Sequence, residues 1–317
     1  MTQKVKPKLE LTAEVLKLKD LGSICHQIEG FIREKVLDLD KDGVVLGMSG
    51  GLDSVLVAKF CKEAVGPDRV LAIYMLHKYG NPRHGEDARR MADILGIRFK
   101  VIDLMPILEA QGIYNRFPMN LLKWLPGSLK EWTMRIGKGS IERVTGRNLF
   151  IESRRGSRDK FVAGGTAYAN FIRRLQMTVL HYHADLENLL VVGAANRTEW
   201  LTGVFVKFGA DGVADIMPIL PLFKSQVRQL ARYLELPEDI VEKPADPDLF
   251  PGFSDKEKMF GKEETLDLIL FGLERGLSSL EIAASTGIDL EGIEKTRAFM
   301  ESTRHMREGA YVPDLII

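Results

Sequence analysis

A short apolar run, Val44–Met48, passes straight into Ser49-Gly50-Gly51-Leu52-Asp53-Ser54 and from there into a helical pattern over Val55–Ala64. Glycines let backbone N–H groups close on an anion, and the start of a helix adds partial positive charge, so a strand ending this way reads as a phosphate site. Asp53 sharpens the reading. A carboxylate aimed at phosphate oxygens repels them unless a divalent cation lies between, and Mg²⁺ is therefore expected in the loop. A glycine turn merely capped by Asp or Ser is the alternative.

The neighbouring segments keep the same rhythm. Val70–Leu76 reads as a strand, Gly85–Leu95 as a helix closed by Gly96, and Ile97–Leu104 as a third strand. Such alternation predicts an α/β fold, a doubly wound parallel sheet of about five strands flanked by helices, with ligands outside the carboxyl ends of the strands. His77, Lys78 and Tyr79 follow the second strand, where an adenine or ribose would lie unless they form only a solvated loop.

Further on, Thr166–Leu186 is helical and Leu189–Val192 is a buried strand running into Gly193-Ala194-Ala195-Asn196-Arg197-Thr198-Glu199. Glu199 thus stands just past a strand end, where it would share a cation with Asp53. His181 and His183 are two apart on the preceding helix and do not share a face, which argues against a metal held by the pair. Lys207–Asp215 is a glycine-punctuated loop with two carboxylates and a lysine, chemistry that fits a phosphate-and-ribose clamp. In the helix Leu222–Leu234, Lys224 occupies the first turn, where a cation opposes the helix dipole and is placed for an anion. The tail from Glu264 to Met306 reads as three short helices breaking at Gly276 and Gly287.

Between 106 and 165 the regularity breaks. Residues 113–165 carry eleven Lys and Arg against four acids, although the chain as a whole balances 44 against 44. A local basic excess in a neutral protein predicts a lid or a surface for an anionic partner, with a solvated insertion as the alternative. The balance of the whole chain gives no global field for nucleic acid or a membrane. Cys25 and Cys61 lack metal or redox spacing and read as buried free thiols. With no signal peptide and no apolar run of about twenty residues, a cytoplasmic protein is expected.

Several motifs together carry a resemblance: Gly-Met-Ser-Gly-Gly-Leu-Asp-Ser at 47–54, Asn170 with Arg174 and Met177, Asn196 to Glu199, Lys207 to Pro218, Leu222 to Arg228, Lys243-Pro244, and Asp248 to Gly252. The loop resembles that of the ATP pyrophosphatases, and the set resembles the ammonia-dependent NAD⁺ synthetases. The resemblance implies an adenine nucleotide α-hydrolase-like fold in a single domain over 1–317, with 106–165 as a basic insertion or lid. It implies a homodimer, ATP and Mg²⁺, and deamido-NAD⁺ amidated by ammonia through an acyl-adenylate. Carried over by position, Gly47, Met48, Ser49, Gly50, Gly51, Leu52, Asp53 and Ser54 hold the triphosphate, Asp53 and Glu199 the magnesium, and Lys224 a phosphate. Arg174, Lys207, Asp215 and, by a looser match, His305 hold the dinucleotide. The chain departs from the family at Ala194, Gln176, Val213 and Asp246. Those departures keep open a related ligase adenylating another carboxylate, and the shared loop together with the basic insertion keeps open a tRNA-modifying ATP pyrophosphatase.

Overall fold

The computed structural model describes residues 11–116, 149–209, 212–244 and 262–314. Asp246, Asp248 to Gly252 and the stretch 117–148 of the basic segment lie outside the described residues. Strands β1 (Gly43–Gly47), β2 (Val70–Leu76), β3 (Arg98–Asp103) and β4 (Leu189–Val192) form one parallel sheet in the order β3-β2-β1-β4. In its register Val45 lies opposite Leu71 on one side and Val191 on the other.

Helices α1 (Leu21–Asp38), α2 (Leu52–Val65), α3 (Pro82–Leu95), α4 (Met105–Ala110), α5 (Leu149–Arg155) and α6 (Lys160–Glu187) lead up to β4. After it come α7 (Arg197–Thr202), α8 (Lys224–Tyr233), α9 (Glu238–Val241), α10 (Glu263–Glu274), α11 (Ser279–Thr286), α12 (Leu290–Ser302) and α13 (Arg304–Arg307). No helix among the described residues is long and apolar enough to cross a membrane.

The near-continuous apolar strands are explained by burial on both faces. Val44, Leu46, Val70, Ala72, Leu190 and Val192 pack with Ile32, Leu56, Phe60, Met91 and Val227 from α1, α2, α3 and α8. The alternate residues Val45, Leu71, Ile73, Leu189 and Val191 pack with Ile172, Met177 and Leu180 of α6. A sheet so covered cannot show a polar face, and its strands lose the apolar–polar alternation that a half-exposed sheet displays. β3 is the exception. It lies at the sheet edge, is partly exposed, and carries Arg98, Lys100 and Asp103, charges that discourage pairing with another chain.

The expected five strands are four among the described residues, with one further parallel bridge between Val192 and Ile216. Gly193 N–H donates to the Ile216 carbonyl at 2.9 Å and Ile216 N–H to that of Val191 at 3.3 Å. Two residues later Pro218 has no N–H with which to continue the ladder.

Within the basic segment, residues 160–165 belong to α6. The Asp159 carboxylate accepts from the Phe161 N–H at 2.8 Å and the Val162 N–H at 3.2 Å, a cap that starts the helix ahead of Gly164 and Gly165. Helix α3 likewise starts before Gly85, at Pro82, because the Asn81 side chain caps it and proline suits the first helical position.

Candidate active site

β1 ends at the loop Ser49–Ser54, and α2 opens from it. Gly50 has φ +69°, and a Cβ there would stand 2.6 Å from the His84 carbonyl and 2.9 Å from the Ala88 nitrogen. The position therefore requires glycine. Ser54 Oγ donates to the Gly51 carbonyl at 3.0 Å and accepts from the Ser49 N–H at 3.2 Å, which pins the loop across its own width. The N-cap of α2 is Gly51, which offers no side-chain acceptor, so no cap competes with a ligand for the first-turn N–H groups.

Asp53 is the second residue of α2, and two side chains from distant elements meet it. Lys224 Nζ forms an ion pair with Oδ2, and Asn196 Nδ2 donates to Oδ1 at 2.9 Å. Asn196 is fully buried and caps α7, its Oδ1 accepting from the Glu199 N–H at 3.0 Å. With its oxygen committed to an N–H and its amide to a carboxylate, the Asn196 side chain has one orientation that satisfies both. Glu199, at the third position of α7, faces the same cleft as Asp53 and Lys224.

That cleft, of about 240 Å³, lies beyond the carboxyl ends of β1, β2 and β4. Besides the loop it is lined by Tyr74, Met75, His84, Gln176, Met177 and Ala194, and by three cations to which sequence reasoning gave no role: Arg154, Arg173 and Lys243. Lys243 Nζ donates to the Gly50 carbonyl at 3.1 Å and to Asp87 of α3 at 2.6 Å. Burial pushes the Asp87 carboxyl up, but Lys243 and then Arg90 outweigh it and leave the group below its usual range. Burial draws Arg154 down to about 10, so it stays charged at neutral pH. Arg173 Nη1 donates to Gln176 Oε1 at 2.9 Å. The only earlier trace of these cations was the basic count over 113–165 and the Lys243-Pro244 pair, neither of which points to a cleft.

With Arg154, Arg173, Lys224 and Lys243 against Asp53 and Glu199, the lining suits a polyanion. Among the described residues no group of three or more His, Cys, Asp or Glu could hold a metal by itself. Mg²⁺ is commonly bound through one or two carboxylates with phosphate oxygens completing its shell, and Asp53 with Glu199 fits that demand.

The remaining expected site residues lie elsewhere. Helix α6 is a wall: Arg173, Gln176, Met177 and Leu180 line the cleft, while Arg174, Thr178, His181 and Asp185 line a second depression beside Phe208 and Val213. Arg174 Nε donates to the Lys207 carbonyl at 3.3 Å. Lys207 Nζ donates to the carbonyls of His305 at 2.8 Å and Gly309 at 3.4 Å, near the rings of Phe208 and Tyr311. His305 is exposed there. Asp215 sits at the sheet margin, its Oδ2 accepting from the Val191 N–H at 2.8 Å. An adenine or ribose was expected at His77, Lys78 and Tyr79. None of the three lines either depression, and Tyr79 is buried against Tyr114 and Tyr168, with ring centroids 5.7 and 6.3 Å away. At that end of β2 the cleft is lined by Ile73, Tyr74 and Met75 instead.

The family model for NAD synthase matches residues 24–117 and 150–310. The NH3-dependent NAD⁺ synthetase of Methanocaldococcus jannaschii is 34% identical over 297 residues, covering 94% of this chain and 98% of that protein. That of Thermotoga neapolitana is 32% identical, covering 92% and 97%. Among solved structures, the NH3-dependent NAD synthetase of Campylobacter jejuni, in complex with the nitrate ion, superposes with a TM-score of 0.65 at 26% identity, over 94% of this chain and all of that one. An NMN synthetase from Francisella tularensis has a TM-score of 0.67 at 22% identity over 94% of this chain, a likeness of fold.

Proposed function

This chain belongs to the NAD synthase family, and from that premise we propose that it is an ammonia-dependent NAD⁺ synthetase, a carbon–nitrogen ligase that amidates deamido-NAD⁺ while ATP is split to AMP and pyrophosphate. The observation that carries the proposal is the meeting of Asp53, Glu199 and Lys224 on one cleft at the uncapped start of α2, with buried Asn196 donating to Asp53.

In this reading the Gly50–Gly51 loop and the first-turn amides of α2 receive the ATP phosphates. Asp53 and Glu199 hold magnesium, which when bound neutralises charge on the pyrophosphate portion. Lys224 exchanges its ion pair with Asp53 for a phosphate oxygen, so that it follows the charge as pyrophosphate departs. The nicotinate carboxylate attacks the α-phosphorus, and ammonia then displaces AMP from the acyl-adenylate. Side chains have little proton transfer to do, since AMP is already a good leaving group and orientation supplies much of the rate. Arg174, Lys207, Asp215 and His305, on the far side of α6 or at the sheet margin, serve the dinucleotide. The enzyme works in the cytoplasm as a homodimer; exposed Tyr182, Leu186, Phe208 and Val213 near the second depression support a partnered face. The relatives do not favour a different acid or a tRNA as substrate.

The test is a pyrophosphate-release assay with ATP, Mg²⁺, ammonium and a panel of carboxylates that includes deamido-NAD⁺. Pyrophosphate, AMP and NAD⁺ should appear in equal amounts. ADP as the spent product, or turnover confined to another acid, would overturn the assignment.

A further inference from the structure

We propose that Asp267, which does not line the cleft, is the positioning residue that holds Lys224 and Glu199 in register against Asp53. The inference deepens the ATP-adenylating reading and rests on it.

Lys224 and Glu199 sit at the starts of two helices, α8 and α7, that are separated in the chain. Each is aimed only as well as its helix start is held. No N-cap side chain serves the first-turn amides of α8: the residue before it is Phe223, whose ring cannot accept a hydrogen bond, and Gln226 Oε1 of α8 accepts from the Phe223 N–H at 3.0 Å, one residue ahead of Lys224. The first N–H groups of α8 find acceptors on other helices. The Lys224 N–H donates to Thr198 Oγ1 at 2.9 Å, and the Ser225 N–H donates to Asp267 Oδ2 at 2.8 Å. Thr198 Oγ1 in turn donates to Asp267 Oδ1. Thr198 lies in the first turn of α7, directly before Glu199. One carboxylate from α10 therefore caps α8 and ties it to α7. A second tie, from the Arg197 N–H to the Leu222 carbonyl at 2.7 Å, fixes the chain entering α8 but leaves the Lys224 and Ser225 amides unaddressed.

The setting makes this carboxylate conspicuous. Asp267 is 0% exposed, and its α10 neighbours Leu266, Ile269 and Leu270 lie in an apolar cluster with Leu201 and Phe223. An ion there carries a desolvation cost of several kcal/mol, which an apolar residue would avoid. What an apolar residue cannot do is accept two hydrogen bonds at the positive end of α8. Arg228 of α8 and Glu263 of α10 pair beside it, Nε to Oε1 at 2.9 Å, so the same two helices are joined again one turn on, away from Lys224.

Asp267→Ala removes both acceptors. Thr198→Val removes the hydroxyl with little change of shape. Asp267→Asn can still accept from Ser225 through its oxygen and turn its amide on Thr198 Oγ1. In full-length protein, with pyrophosphate release followed at saturating deamido-NAD⁺ and ammonium, Asp267→Ala and Thr198→Val should each lower kcat at least about tenfold with KM for ATP changed less than about threefold. Asp267→Asn should recover kcat to within about threefold, and the double variant Asp267→Ala/Thr198→Val should be no worse than the weaker single one. Crystals of Thr198→Val should show Lys224 Nζ withdrawn from Asp53, a readout independent of turnover. Should Asp267→Ala fail to fold, Thr198→Val and Asp267→Asn decide the matter. Folded variants with wild-type kcat, or an unmoved Lys224, would overturn the inference. A wild-type enzyme inert toward deamido-NAD⁺ but with Lys224 displaced in Thr198→Val would instead overturn the functional reading.

Discussion

Asp53 pairs with Lys224 and accepts from Asn196, and it loses different things with each. Asp53→Asn keeps the shape and gives up the charge, so magnesium and the Lys224 pair both weaken. Pyrophosphate release should fall by at least about a hundredfold, while the side chain's place at the edge of the cleft leaves the circular-dichroism melt within a few degrees of wild type. Full turnover in that variant would remove Asp53 from the reaction. Asp267 makes a prediction about pH. Burial, against the pull of Thr198 and Ser225, pushes its carboxyl from 3.8 up to about 6. The folded state thus binds the proton more tightly than the unfolded chain, and the contribution to stability is fully present below about pH 4 and is lost as pH rises through 6. The unfolding free energy of wild type minus that of Asp267→Asn should fall by roughly 3 kcal/mol over that window in urea titrations. A flat difference would mean that the carboxyl titrates as in water. Which residues could be found from sequence follows from how local their evidence is. Asp53, Glu199 and Lys224 stand within a few residues of strand ends or helix starts, and spacing alone points to them. Arg154, Arg173 and Lys243 reach the cleft only because α5, α6 and the segment after α9 fold over it.

At the scale of elements, the turn from β1 into α2 is the most constrained. Gly50→Ala places a methyl group against the His84 carbonyl and Ala88 nitrogen at a positive φ, at a cost of about 1–3 kcal/mol. Because the strain is relieved by shifting the loop, pyrophosphate release should drop along with the melting temperature; loss of stability with unchanged turnover would show the loop's path to be unimportant. For α6 the expectation is purely structural. Asp159→Ala deletes acceptors for two N–H groups and should cost about 1 kcal/mol in chemical denaturation without altering KM for ATP. Element ends were legible where punctuation was strong, as at Gly276 and Gly287 with φ +77° and +72°. They were missed where one capping side chain overrode composition: Asp159 carries the helix through two glycines, and Asn81 with Pro82 begins α3 early.

For the whole molecule, α6 separates a charged cleft from a second depression whose exposed Tyr182, Phe208 and Val213 leave apolar surface in water. Leu186, 60% exposed near the end of the same helix, extends that surface. If the homodimer forms there, Leu186→Asp should shift sedimentation toward monomer at micromolar concentration, since a desolvated charge at an interface costs several kcal/mol. An unaltered dimer would place the interface elsewhere. The parallel sheet, the glycine loop and the carboxylates just past two strand ends were determined by sequence alone, because periodicity, capping and turn chemistry are written within a few consecutive residues. Tertiary structure decided what those residues meet. Asp53 finds Asn196 and Lys224 across 143 and 171 positions of chain, and Arg173 and Arg174, adjacent in sequence, line different depressions. A side chain's direction on a helix depends on what the helix packs against, and that is settled only when the core closes.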